Sequence, residues 1–114
     1  MTKKEKQRLE KRKILFKKQR KERGWDDSET WSMDSTISKF VCLRLKRFKE
    51  VKCGYPGFLS SMEKWDEILD HIIYAMEVLS NDKLHYGCDL NQKEWKRVQK
   101  GCNLFGKYFQ DLWW

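Results

Sequence analysis

Apolar residues recur at helical spacing in three stretches of the chain and at strand spacing in none. Ile37, Phe40, Val41, Leu45 and Phe48 follow one another at three- and four-residue steps, with Lys39, Arg44, Lys46, Arg47 and Lys49 elsewhere around the turn. This pattern predicts an amphipathic helix over residues 35–52, with Asp34 as its N-cap. Cys53-Gly54-Tyr55-Pro56-Gly57 stops it, because Gly and Pro interrupt helical hydrogen bonding. A second helix is predicted over residues 61–79. It opens on a Ser60–Glu63 capping box and carries a wide stripe of Trp65, Ile68, Leu69, Ile72, Ile73, Met76 and Leu79. Residues 83–90, with Gly87, read as a loop. A third helix follows from an Asn91–Glu94 capping box, and its seam of Trp95, Val98, Cys102, Phe105, Phe109 and Leu112 alternates steps of three and four. Gly101 and Gly106 lie in that helix despite their low propensity, which points to close helix–helix packing at both.

The remaining two segments differ from these. Residues 3–23 favour helix, but their only apolar group is Leu9, Ile14, Leu15 and Phe16, too little to anchor a helix by burial. Like charges one turn apart, such as Lys13 and Lys17, oppose helix formation in isolation. The expectation is a basic helix or arm that ends at Gly24 and is steadied by docking or by anions. Residues 25–36 are dominated by Asp, Ser and Thr, which compete locally for backbone hydrogen bonds. There Asp26 or Asp27 is placed to cap a short turn, and Trp25 and Trp31 are expected to pin the segment to the core. The fold class that results is all-α: an antiparallel three-helix bundle over residues 25–114, preceded by a basic N-terminal helix or arm over residues 1–24.

Charge sharpens that division. The formal net charge of the 114 residues is +8. Residues 1–24 hold twelve Lys or Arg against three Glu, a net of +9, while the other ninety residues hold thirteen basic and fourteen acidic groups, a net of −1. The chain is a nearly neutral body carrying one basic segment. Charged residues make up 37% and aromatic residues 14%, and so high an aromatic share excludes a wholly disordered chain.

The four cysteines, Cys42, Cys53, Cys88 and Cys102, contain no C-x-x-C pair, and His71 and His85 are the only histidines. No structural metal and no cofactor is expected from such spacings. Two disulfides are allowed by count, but the charged N-terminal dozen residues lack an apolar signal segment and no apolar run is long enough to span a membrane. The cysteines therefore read as free, mostly buried thiols in an intracellular protein.

Several residues resemble a family of small, uncharacterised proteins encoded by tailed bacteriophages. The resemblance rests on Trp31-Ser32-Met33-Asp34, Arg44-Leu45-x-x-Phe48, Tyr55-Pro56, Glu63-x-Trp65-x-x-Ile68-Leu69 and Leu104-Phe105-x-x-Tyr108-Phe109-x-x-Leu112-Trp113. Such proteins often carry Pro where this chain has Leu43, so a straighter first core helix is expected here. The resemblance implies a phage origin and a role in the host cytoplasm, and it implies no reaction.

For function, the basic arm is the clearest candidate. Lys3, Lys4, Lys6, Arg8, Lys11, Arg12, Lys13, Lys17, Lys18, Arg20, Lys21 and Arg23 suit a polyanion, since cations that meet phosphates release condensed counterions. Phe16 is placed to stack on a base. An acidic protein groove and a merely solvated tail are the competing readings. Trp114, at the end of a Trp113-Trp114 pair, is a candidate contact point, with closure of the bundle end as its structural alternative. Asp26, Asp27, Glu29 and Asp34 fit no calcium-loop template and read as caps and turns, or as internal partners for the arm. Glu63, Asp66, Glu67, Asp70 and His71 read as an exposed helix face rather than a catalytic group, and no catalytic residue is assigned. Cys88 near His85 is a weak exception in a loop. The chain is thus expected to be a non-enzymatic phage accessory protein. It would bind and occlude a host complex, such as a nucleic-acid-guided antiviral defence, with oligomeric state left open. A nucleotide-signal sponge and a virion or DNA-packaging component are the alternatives.

Overall fold

The structure is a computed structural model and describes residues 1–80 and 90–114. Among the described residues the chain is all-helical. Helix α1 spans Lys3–Arg23, a 3-10 turn covers Asp27–Thr30, α2 spans Met33–Val51, α3 spans Met62–Leu79, α4 spans Gln92–Lys107, and a second 3-10 turn covers Phe109–Asp111. The loop assigned to residues 83–90, its Gly87 and the His85–Cys88 pairing lie outside the described residues, apart from Leu90.

The helix ends follow local chemistry. Asn91 caps α4 as expected, its side chain accepting from the Glu94 amide at 2.9 Å while Glu94 reaches back to the Asn91 amide. Two expected caps move by a residue or two. Helix α2 begins at Met33, so Asp34 lies inside its first turn, where a carboxylate suits the helix dipole, and is not its N-cap. Ser61, not Ser60, caps α3 by accepting from the Lys64 amide at 3.2 Å, so the expected Ser60–Glu63 box does not form.

Helix α3 is the centre of the body, flanked by α2 on one side and α4 on the other. Ion pairs give its direction against α2. Lys46 meets Glu77 at 2.6 Å, Lys49 meets Asp70 at 2.7 Å, and Lys52 meets Asp66, so residue numbers rise on one helix as they fall on the other. Arg97 over Tyr74, Gly101 against His71 and Ala75, and Tyr108 against Trp65 give α4 the same antiparallel sense. Leu69, Ile72 and Ala75 are fully buried, and Trp65 is 1% exposed between Phe48 and Tyr108.

Small residues let these helices approach. At Gly101 an added methyl would overlap the His71 carbonyl oxygen and lie 2.5 Å from the Ala75 methyl, so only glycine fits there. The same argument does not extend to Gly106, which faces open space. Helix α4 also stops sooner than its seam predicts. Tyr108 leaves helical geometry at φ −105°, and the 3-10 turn that follows buries Tyr108 and exposes Phe109. Trp95 is exposed as well, so the packed face of α4 runs through Val98, Gly101, Cys102, Phe105 and Tyr108.

Helix α2 is turned from its expected orientation. Its buried face is Ser35, Ser38, Cys42 and Leu45, whereas Ile37 and Phe40, expected in the core, are 47% and 58% exposed. Ser35, Ser38 and Cys42 go inward beside Leu45 and displace Ile37 and Phe40 to the rim, while Val41 and Phe48 still pack half-buried against the core as their spacing predicts. Cys42 is buried and Cys102 half-buried, but Cys53 is exposed, which corrects the expectation for that thiol.

Candidate nucleic-acid interface

Helix α1 is defined at both ends. Thr2 and Glu5 form a capping box, with the Glu5 amide donating to the Thr2 hydroxyl at 3.1 Å and the Thr2 amide to the Glu5 carboxylate at 2.9 Å. Gly24 ends the helix in the left-handed region at φ 87°, its amide donating to the Arg20 carbonyl. Between them no residue is buried. A helix of 21 residues rises roughly 31 Å, and the whole molecule measures 62 × 37 × 19 Å because α1 projects from the body.

The root of α1 is held by the acidic turn that follows it. Asp26, 4% exposed, caps that turn and pairs with Arg20 at 2.5 Å. Its carboxylate also accepts from the Ser28 hydroxyl, and these contacts, Ser28 first, hold its pKa below the ordinary 3.8. Asp27 accepts from the Gln19 amide at 2.8 Å and from Arg23 at 2.7 Å, and its pKa is lowered for those reasons in that order. The Gln19 carbonyl completes the clasp by accepting from the Asp27 amide at 2.8 Å. The expected pairing of the acidic cluster with the chain's own arm is therefore present, but at the root only.

The two tryptophans serve the same joint. Trp25 and Trp31 are 45% and 65% exposed and do not pin the segment to the core. Arg23 stacks over Trp25 at 3.7 Å, and Phe16 meets Trp31 edge-on at 5.6 Å, with Arg12 above that indole at 5.8 Å. Phe16 is half-buried by this contact, which leaves Trp31 as the more open ring.

Of the twelve predicted cations, Arg20 and Arg23 are committed to Asp26 and Asp27. Lys13 and Lys18 meet Glu10 and Glu22 in exposed pairs along α1, at 3.5 and 3.9 Å. Lys3, Lys4, Lys6, Arg8, Lys11, Arg12, Lys17 and Lys21 are exposed, and the ion pairs among the described residues use none of them. They form a dense field of positive charge along one helix, suited to a polyanion. Trp114, the remaining predicted contact, is 67% exposed and belongs elsewhere. It lines a groove between α2 and the C-terminal segment that no residue of α1 enters.

Asp66 and Asp70 are not a free acidic face, since Lys52 at the end of α2 takes the first and Lys49 within it takes the second. Among the described residues no group of three or more His, Cys, Asp or Glu side chains could hold a metal ion, and no helix is long and apolar enough to cross a membrane.

No family model, curated protein or solved structure matches the chain.

The clasp at Asp26 and Asp27 was only partly legible beforehand. The signals that fix its two sides are the Thr2-x-x-Glu5 capping box and the reciprocal Asp26-x-x-Glu29 box, in which Glu29 accepts from the Asp26 amide at 2.7 Å.

Proposed function

We propose that this chain is a non-enzymatic accessory protein, of the phage class it resembles, that binds and occludes a host target. Helix α1 grips the polyanionic part of that target, a nucleic-acid strand such as one carried by an antiviral defence complex. One observation carries the reading: the cations of α1 beyond its root face solvent and are spared by the body's carboxylates. Behind the arm, the antiparallel helices form a three-helix bundle whose seam between α2 and the end of α4 stands open.

The test is fluorescence polarisation of a labelled single-stranded oligonucleotide across a salt series. One side of a helix reaches about five phosphates, which gives a slope of log affinity on log salt of about −3.5 for a single strand. Replacing Lys4, Arg8 and Lys11, which share one side of α1, together by Gln should flatten that slope by about 2 and weaken binding at low salt. The thermal melt should not change, because none of the three is buried. A flat salt dependence, or a triple variant that binds like wild type, would refute an electrostatic arm.

A further inference from the structure

The groove beside Trp114 is a separate feature. It has a volume of about 830 Å³ and runs between α2 and the segment from Phe105 to Trp114. One wall is the α2 face whose hydrophobic spacing reads as core, yet Phe40 on it is 58% exposed. On the other wall Phe109 is 62% and Trp114 67% exposed. Exposed apolar surface of this continuity is costly in water and marks a place for a partner.

We infer that this groove docks an amphipathic helix of a partner protein with acidic residues flanking its apolar stripe. Shape supplies the first argument. Phe40 to Val51 covers three turns of α2, roughly 16 Å, which matches a helix that places apolar anchors at i, i+4 and i+7. A fourth helix laid there would pack against α2 as α3 does on its opposite side, extending a helical layer without any new backbone pairing.

Charge supplies the second. Arg44 and Arg47 line the groove and no Asp or Glu side chain among the described residues does. Arg44 lies flat on the Phe40 ring at 3.5 Å and donates to the Phe40 carbonyl at 3.1 Å, and its guanidinium meets no carboxylate among the described residues. Arg47 is tied to Glu50 by one exposed bond of 3.0 Å. A bidentate guanidinium above an apolar slot selects carboxylates at the edge of an incoming helix. The same charges disfavour a second copy of this chain. A two-fold contact through this groove would bring arginine-lined walls together.

The test uses the full chain and a displayed library of amphipathic helices about 18 residues long. Their apolar stripe is fixed and their flanking positions are randomised among Glu, Lys and Ser. The expected result is enrichment of Glu at the flanks. The selected peptide should then bind about tenfold more weakly to Phe109→Ala and to Arg44→Glu, and Arg44→Glu should regain affinity for the Lys-flanked version of that peptide. Both side chains are exposed, so the variants should melt with the wild type. Should Phe109→Ala lose stability, the Arg44→Glu charge swap decides alone. No enrichment, enrichment of Lys or Ser, or binding indifferent to both substitutions overturns the inference. So does self-association in sedimentation that Phe109→Ala abolishes, which would make a second copy the occupant. Saturation by dodecanoate without peptide binding would make the groove a site for a small amphiphile and overturn it equally.

Discussion

Gly101 and Gly106 sit five residues apart at opposite ends of the packing argument, and replacing each by alanine should change stability in opposite directions. At Gly101 the new methyl meets the His71 carbonyl oxygen and approaches the Ala75 methyl to 2.5 Å, with the His71 carbonyl carbon at 3.3 Å. The obstacle is largely main chain, which cannot rotate aside, so α4 must lift from α3. Overpacking of this kind costs about 1–3 kcal/mol or more, while alanine returns about 1 kcal/mol of helix propensity. With a carbonyl oxygen in the way the clash falls at the upper end, for a net loss of about 2 kcal/mol. In a domain of this size that lowers the melting temperature by about 8–16 °C. Gly106 has no atom within 4 Å of the same methyl, so alanine there keeps only the propensity gain, reduced by its place in the last turn. A rise of about 2–4 °C is expected. Thermal melts followed by circular dichroism measure both. Ala75→Gly alone should cost about 1 kcal/mol of helix propensity in α3, and the Gly101→Ala/Ala75→Gly double variant should be more stable than the sum of the two single losses because one methyl clash is removed. If both single variants melt alike, or Gly101→Ala is neutral, the α3–α4 approach described here is wrong.

Three further outcomes follow from the joint, the thiols and the ladder of ion pairs. The folded pKa values of Asp26 and Asp27 lie below 3.8, so their stabilisation of the α1 root is complete above that value and is lost as pH falls below it. Nuclear Overhauser contacts between the Phe16 and Trp31 rings should vanish in that acid range, and at neutral pH in Arg20→Ala. Contacts that survive strong acid unchanged would show that the carboxylates do not hold the root. Among Cys42, Cys53 and Cys102, iodoacetamide should modify Cys53 first, because burial raises the thiol pKa of the other two; peptide mapping of the native protein reads the order. Lys52, whose side chain is 4% exposed, donates to the Lys49 carbonyl at 2.8 Å and pairs with Asp66. Lys52→Met should cost about 1–2 kcal/mol in urea unfolding, less than a fully buried pair because water still reaches Asp66.

The helices themselves were readable because their signals are local. Asn91 with Glu94, Gly24, and the Gly54-Tyr55-Pro56-Gly57 break each act within a turn of their own position. The rotation of α2 was not readable in the same way. A hydrophobic pattern ranks positions by apolar size, and Ile37 and Phe40 outrank Ser35, Ser38 and Cys42. Yet the buried face is decided by which residues fit against their neighbours, and there the small ones prevail. Because of that shift, the Phe40 ring lines the groove instead of filling the core. At the C-terminus the three-four seam continues past the real end of α4. Periodicity cannot register the change of backbone at Tyr108, which sends that ring inward and Phe109 outward. The arm's composition was evident, but the partners of Arg20 and Arg23 were not, since pairing across the Gly24 bend depends on the left-handed turn there.

The projection of α1 also has a hydrodynamic consequence. A folded chain of this length has a radius of gyration of about 13 Å, whereas this one has 18.3 Å. A lone molecule of 14.0 kDa will therefore leave a sizing column early, at the volume of a heavier globule, and its drag will exceed what its mass implies. Light scattering reports a mass that shape does not distort, so a monomer should read as a monomer there while still travelling like a larger particle.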